Sequence, residues 1–317
     1  MLLALYSSEE LFQHAAALSG NPLMFPILPL PAAEFFASQA YTALGISDLP
    51  QDEQIQRLLA ASPDELLTKV PPSIHMGTTL DGTTIGGVPT YPALAKLAEE
   101  VPGATWCKSL LVGSCDFDAQ IYAFLGVFDG RGPLAQGFIE RLQRAVPSDK
   151  RDKLDALFAL YGLAPETPEE AARAAVIQLG SDLKFFSSSL AYARAWPGRA
   201  YLYQFKEANP WEGPFRGRAT HVLDVALLFQ TYNHALPAEA VEVARRFARD
   251  LVTFAHGEDP FPTLEAGKGG RVYGSQATED YVPDVHALGP SAEVQKLWDE
   301  IGLQNLSQAW DLFLSRQ

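Results

Sequence analysis

Residues 199–205 read RAYLYQF, and residues 217–229 read GRATHVLDVALLF. The first segment sets Tyr201, Tyr203 and Phe205 on one face and Ala200, Leu202 and Gln204 on the other, which makes it the clearest strand in the chain. The second leaves a Pro/Gly-bearing loop and enters an apolar stretch with helical spacing, HVLDVALLFQ. A strand, then a loop, then a helix, with His221 where the loop becomes helix, places a histidine beyond the carboxyl end of a strand. An α/β enzyme presents a catalytic group there, and a histidine in that place has the right proton affinity for a general base. A capping or core histidine is the structural alternative. His221 and Asp224 lie one helical turn apart and offer two metal ligands without a third.

The neighbouring run 110–122, LLVGSCDFDAQIY, reads as a buried strand ending at Gly113 and followed by Asp116 and Asp118. A carboxylate at the end of an adjacent strand can orient an imidazole and stabilise its protonated form; helix N-capping by either aspartate is the alternative. QHAAALSG (13–20) reads as a third strand closed by a Ser-Gly turn. Helices are expected at 34–44, 54–61, 133–146, 150–163, 168–179, 292–301 and 306–314. Residues 183–196 (LKFFSSSLAYARAW) also read as helical, with the serines of 187–189 bonding back to their own helix. The stretch 238–257 is an amphipathic helix with Val241, Ala244, Phe247, Ala248, Leu251 and Ala255 on its apolar face. SPDELLTKV (62–70) opens with a capping box, Ser62 three residues before Glu65. Residues 70–92 are turn-rich and almost uncharged. Few strands among many helices, in mixed order and without a repeat or a clean linker, make the class α/β.

Composition removes several function classes. The 317 residues carry 24 Lys+Arg against 38 Asp+Glu, a formal charge of −14 with no basic block; nucleic acid and anionic membrane surfaces are therefore poor partners. No run approaches the roughly 20 apolar residues of a membrane span. Cys107 and Cys115 are too few for a disulfide framework or a multi-thiolate zinc site and are compatible with a reducing setting; localisation stays open, with the cytoplasm slightly favoured for the chain as given. GxSxG is absent: Ser47 and Ser291 have a glycine two residues before them and none two residues after. AGKGG (266–270) fails the phosphate-loop pattern, and HExxH, CxxC and calcium-loop patterns do not occur. Neither a cofactor nor a metal is expected. Of six histidines (14, 75, 221, 234, 256 and 286), only His221 has a catalytic context.

Four segments, in order, resemble the C-terminal part of the type-B carboxylesterase/lipase family, which includes the cholinesterases and has the α/β-hydrolase fold. SSEELFQHAAALSGN (7–21) is similar to the stretch after the family's nucleophile helix. LLVGSCDFDAQIYAFLG (110–126) is similar to its acid-bearing GxxxxEG segment. RAYLYQF with GRATHVLDVALLF is similar to the strand and loop that present its histidine. RFARDLVTFAHGEDP (246–260) is similar to its penultimate long helix and following turn. The resemblance implies His221 as the catalytic base and Asp118, sixth from Gly113, as the acid, with Asp116 as the fallback. Ser19 matches a serine that bonds near the acid, and Asp224 a carboxylate that supports the histidine loop. Two departures stand in the acid motif: Asp118 replaces the commoner Glu, and Ala119 replaces Gly.

The resemblance also implies an absence. The family's GxSxG elbow and glycine-rich oxyanion loop would lie upstream of Met1. The first turn (MLLALYSS) is apolar and uncapped, like the middle of a helix, and lacks signal-peptide grammar. The expectation is an incomplete α/β-hydrolase fold, its C-terminal strands bearing large helical insertions, with residues 1–317 as the C-terminal portion of one domain. Base and acid without a nucleophile make the chain as given inactive; a non-catalytic esterase-like binding protein, and more remotely an unrelated α-rich binding protein, are the alternatives. The strand near His14 would be an open sheet edge able to pair with another chain. The substrate would be a small-molecule ester, of unreadable identity, once the upstream half is supplied.

Overall fold

The computed structural model describes the chain apart from residues 1, 25–26, 72–73, 75–76, 84, 86, 265–268, 277–280 and 316–317, and describes residues 2–3 by backbone alone. His75 and the start of the AGKGG run lie outside the described residues. The chain groups into two compact units. One comprises Met1–Met24, Pro89–Phe124 and Phe128–Gln317; the other comprises Phe25–Val88 with Leu125–Val127.

The larger unit is built on a five-stranded sheet. Its strands, in spatial order, are β1 (His14–Leu18), β2 (Ser109–Cys115), β3 (Arg199–Phe205), β4 (Gly270–Tyr273) and β5 (Tyr281–Val282). The first four are mutually parallel, and β5 pairs antiparallel with β4. Parallel neighbours need long crossover connections, so the helices lie between strands in sequence and cover the sheet in space. All seven residues of β2 and six of seven in β3 are buried. The alternation in RAYLYQF therefore separates two buried faces. Tyr201, Tyr203 and Phe205 join Leu111, Cys115, Phe247, Phe254 and Tyr273 in the core cluster on one side. Leu110, Val112, Ala200 and Leu202 face the other way, and α2 (Ser187–Ala195) packs against the same two strands.

Three expectations are corrected by the packing. β2 does not stop at Gly113 but runs to Cys115, with Gly113 paired to Leu18 on one side and Tyr203 on the other. A glycine is required because a Cβ there would lie 2.3 Å from the Tyr203 ring and 2.4 Å from the Tyr203 carbonyl oxygen. Between α1 (Glu169–Gly180) and α2, residues Ser181–Phe186 form a π-helix, a wider turn than the α-helix expected there. In α4 (Ala238–Ala255) the buried face is Ala240, Val243, Ala244, Phe247, Asp250 and Phe254, rotated from the expected stripe, with Ala255 exposed. The rotation admits Asp250, whose carboxylate accepts a 2.8 Å hydrogen bond from the Tyr273 hydroxyl. The short strands β4 and β5 are additions to the sequence reading: four and two residues carry too little periodicity to register.

The smaller unit holds helices Leu30–Leu44, Gln51–Ala60 and Pro63–Lys69, with a two-residue parallel pairing of Leu28–Pro29 and Thr79–Leu80. Gly45, at φ 70°, ends the first helix by bonding back to Thr42 and Tyr41. The Ser62 hydroxyl accepts the Glu65 N–H at 3.1 Å, as the capping box requires.

Candidate active site

β1, β2 and β3 run parallel, so their carboxyl ends lie side by side. Just past β1 is Ser19, in a left-handed conformation (φ 49°), its N–H donated to the Gly113 carbonyl at 2.9 Å. Just past β2 is the turn carrying Asp116 and Asp118. Beyond β3, the loop returns so that Phe117 and Thr220 make an isolated parallel bridge and the Phe117 N–H reaches the Ala219 carbonyl at 2.8 Å. The residue after His221, Val222, sits at φ 62°, where a β-branched side chain is strained. That strain is held at the point where the loop turns into α3 (Leu223–Leu228) and presents the imidazole.

These turns bring Ser19, Asp118 and His221 together. His221 Nδ1 is 2.8 Å from Asp118 Oδ1. The other oxygen, Oδ2, accepts from the Ser19 hydroxyl at 2.7 Å and from the Cys115 backbone N–H at 2.6 Å. Asp118 is completely buried, while the His221 side chain keeps 19% of its surface. Burial pushes the Asp118 carboxyl above the usual carboxylate range; the His221 contact, then Ser19 and the Cys115 N–H, pull it back toward the charged form. When Asp118 is ionised its carboxylate only accepts hydrogen bonds, and Nδ1 then donates while Nε2 is the basic nitrogen. The Phe185 ring meets the imidazole edge-on, with centroids 5.8 Å apart.

No protein-family model matches the sequence, and no curated protein matches it. Solved structures do match. A PNB esterase shares 18% identity over 93% of this chain and 60% of its own, with a TM-score of 0.61. The carboxylesterase EST55 of Geobacillus stearothermophilus shares 18% over 94% and 60%, with a TM-score of 0.61. A thermophilic PNB esterase shares 17% over 93% and 59%, with a TM-score of 0.60.

The chain has the α/β-hydrolase fold. It spans about 60% of the length of the esterase structures it matches.

Within this α/β-hydrolase fold the other candidate carboxylates face elsewhere. Asp116 is half-exposed and points to Lys206 Nζ at 3.9 Å. Asp224 is fully buried; its Oδ2 accepts the Tyr203 hydroxyl at 2.7 Å and its Oδ1 the Val225 N–H at 2.8 Å. Asp224 thus ties the start of α3 to β3. Among the described residues, no group of three or more His, Cys, Asp and Glu side chains is placed to hold a metal ion. Cys115 is buried beside Asp224 and Asp118. Desolvation first, then those charges, hold its thiol well above the usual range, which removes it as a nucleophile. Ser187 and Ser188 donate to the carbonyls of Leu183 and Lys184, the back-bonding expected of them. The Cys115 N–H, Tyr203 and Phe185 complete the surroundings, yet none stands out in sequence: a backbone donor is silent there, and both aromatics read as core.

Asp224 gives the site a pH signature. Burial, with Asp118 beside it, pushes its pKa up to about 6, whereas an unfolded aspartate titrates near 4. Between those values the folded chain holds a proton that the unfolded chain has released, so this group's contribution to stability falls as pH rises through the window. Asp224→Asn keeps the shape and the Tyr203 contact while abolishing the titration. The difference in Tm between variant and parent, followed by calorimetry from about pH 4.5 to 7.5, is expected to shift in the variant's favour. A pH-independent difference would contradict the assignment.

Proposed function

We propose that the chain carries the base and the acid of a carboxylic-ester hydrolase of the type-B carboxylesterase/lipase family, acting by Ser–His–Asp acyl transfer. The observation that carries this reading is the Asp118 carboxylate, divided between His221 Nδ1 on one oxygen and Ser19 with the Cys115 N–H on the other. The esterase structures that share the fold support it. His221 Nε2 takes the proton of a serine hydroxyl as its oxygen bonds to the ester carbonyl carbon. Asp118 stabilises the resulting imidazolium, which then protonates the departing alkoxide; the same nitrogen activates the water that releases the acid.

The nucleophile is the missing member. The 317 residues contain no GxSxG, and we assign the serine to sequence outside them. β1 is the first strand in the sheet order, with β2 its one partner among the described residues, and its outer edge is where a further strand would pair. Ester turnover by the chain as given is the direct test. With p-nitrophenyl acetate, release of nitrophenolate should not rise above the uncatalysed rate. Turnover that disappears in His221→Ala would show that a nucleophile lies within these residues and overturn that assignment.

A further inference from the structure

We propose that Gln178 is a positioning residue whose amide ties the acid-bearing turn to the base-bearing loop, an inference that rests on the Asp118–His221 pair as acid and base. Gln178 lies near the end of α1, outside both catalytic segments. Its Oε1 accepts from Arg218 Nη2 at 2.5 Å, three residues before His221. Its Nε2 donates to the Asp116 carbonyl at 3.0 Å, two residues before Asp118. The second Nε2 hydrogen goes to Asp182 Oδ1 at 3.2 Å. One side chain therefore bonds both loops, with its donors and acceptor all occupied.

The surrounding contacts make the bridge directional. The Arg218 guanidinium lies 3.9 Å from the centre of the Phe117 ring, so the arginine of the base loop rests on the residue next to the acid. Asp182, the anchor behind Gln178, accepts the Tyr161 hydroxyl at 2.7 Å. The adjacent Ser181 hydroxyl accepts the Ala119 N–H at 2.9 Å, pinning the other side of the acid turn to the same π-helix. That π-helix also carries Phe185 against the imidazole. Asp118 and His221 belong to two separate loops, and their 2.8 Å contact holds only while those loops keep their spacing. Gln178 spans both from a helix fixed behind them.

The test is made on the full 317-residue chain by proton NMR, following the deshielded Nδ1–H of the His221–Asp118 bond, identified by its loss in His221→Asn. In Gln178→Met, similar in length but without hydrogen-bonding groups, solvent exchange of that proton should accelerate about tenfold, the scale of one lost charge-assisted hydrogen bond. Arg218→Met should do the same. The double variant should add little to either single one, because both act through one bridge. Circular dichroism and thermal melts separate these effects from loss of fold, and Arg218→Met carries the test if Gln178→Met does not fold. A signal that exchanges at the parental rate in folded Gln178→Met or Arg218→Met, or additive single-variant effects, overturns the bridge and leaves the acid–base pair standing. Absence of the signal in the parent contradicts the pair itself, and the bridge with it.

Discussion

Asp118→Asn is expected to reverse the tautomer of His221. The Ser19 hydroxyl and the Cys115 N–H both donate to the same oxygen of Asp118. In an asparagine, that position must be the amide oxygen, since an NH2 there would face a backbone N–H that cannot accept. The NH2 is then turned toward His221 Nδ1, which must accept, and the ring proton moves to Nε2. A base whose working nitrogen already carries its proton cannot take another from a serine. On the 317-residue chain the change is visible in the nitrogen-15 shifts of the imidazole, which should pass from the Nδ1–H to the Nε2–H pattern. In a polypeptide that joins these residues to a serine nucleophile, kcat should fall about 10⁴-fold, as wrong-tautomer variants of such triads do. An unchanged tautomer would mean that Asp118 does not orient the base.

Gly113→Ala should damage the sheet severely with a single methyl group. The new Cβ would stand 2.3–2.4 Å from two ring carbons of Tyr203 and 2.4 Å from the Tyr203 carbonyl oxygen. The ring cannot swing aside freely, because its hydroxyl is held by Asp224. The carbonyl cannot move without disturbing the β2–β3 ladder. Overpacking against a rigid neighbour costs about 3 kcal/mol, a fall in Tm of roughly 4–5 °C for a chain of this size. Gly137→Ala is the control. A Cβ on that helical glycine meets only the Arg131 carbonyl, at 3.9 Å, and replacing a mid-helix glycine should add about 0.5–1 kcal/mol. Thermal and urea melts of the two variants should move in opposite directions; similar melts would contradict the close strand contact.

The strands that position the site were legible because their residues do one job. RAYLYQF and LLVG are apolar, β-prone and short, and β3 occupies the seven residues expected of it. Where a residue serves two neighbours, the sequence misleads: Gly113 reads as a terminator, but it is the mid-strand residue that lets Tyr203 pass. The rotated face of α4 has the same origin, since a buried aspartate counts as polar until its tyrosine partner is known. The choice between Asp116 and Asp118 was open to pattern reading, because both lie on one turn. The fold separates them by direction, one toward Lys206 and the other toward His221. Gln178 left no signal at all, because a glutamine near a helix end is ordinary until the two loops it bonds are seen together.

Fluorophosphonate labelling tests the central claim most directly, applied side by side to the 317-residue chain and to a polypeptide extended upstream through a GxSxG serine. The short chain should take no label. The extended one should be labelled at that serine, and His221→Ala should abolish the labelling. A label on the short chain, or labelling of the extended chain that survives His221→Ala, would contradict the assignment of His221 as the base of a serine supplied from outside these residues.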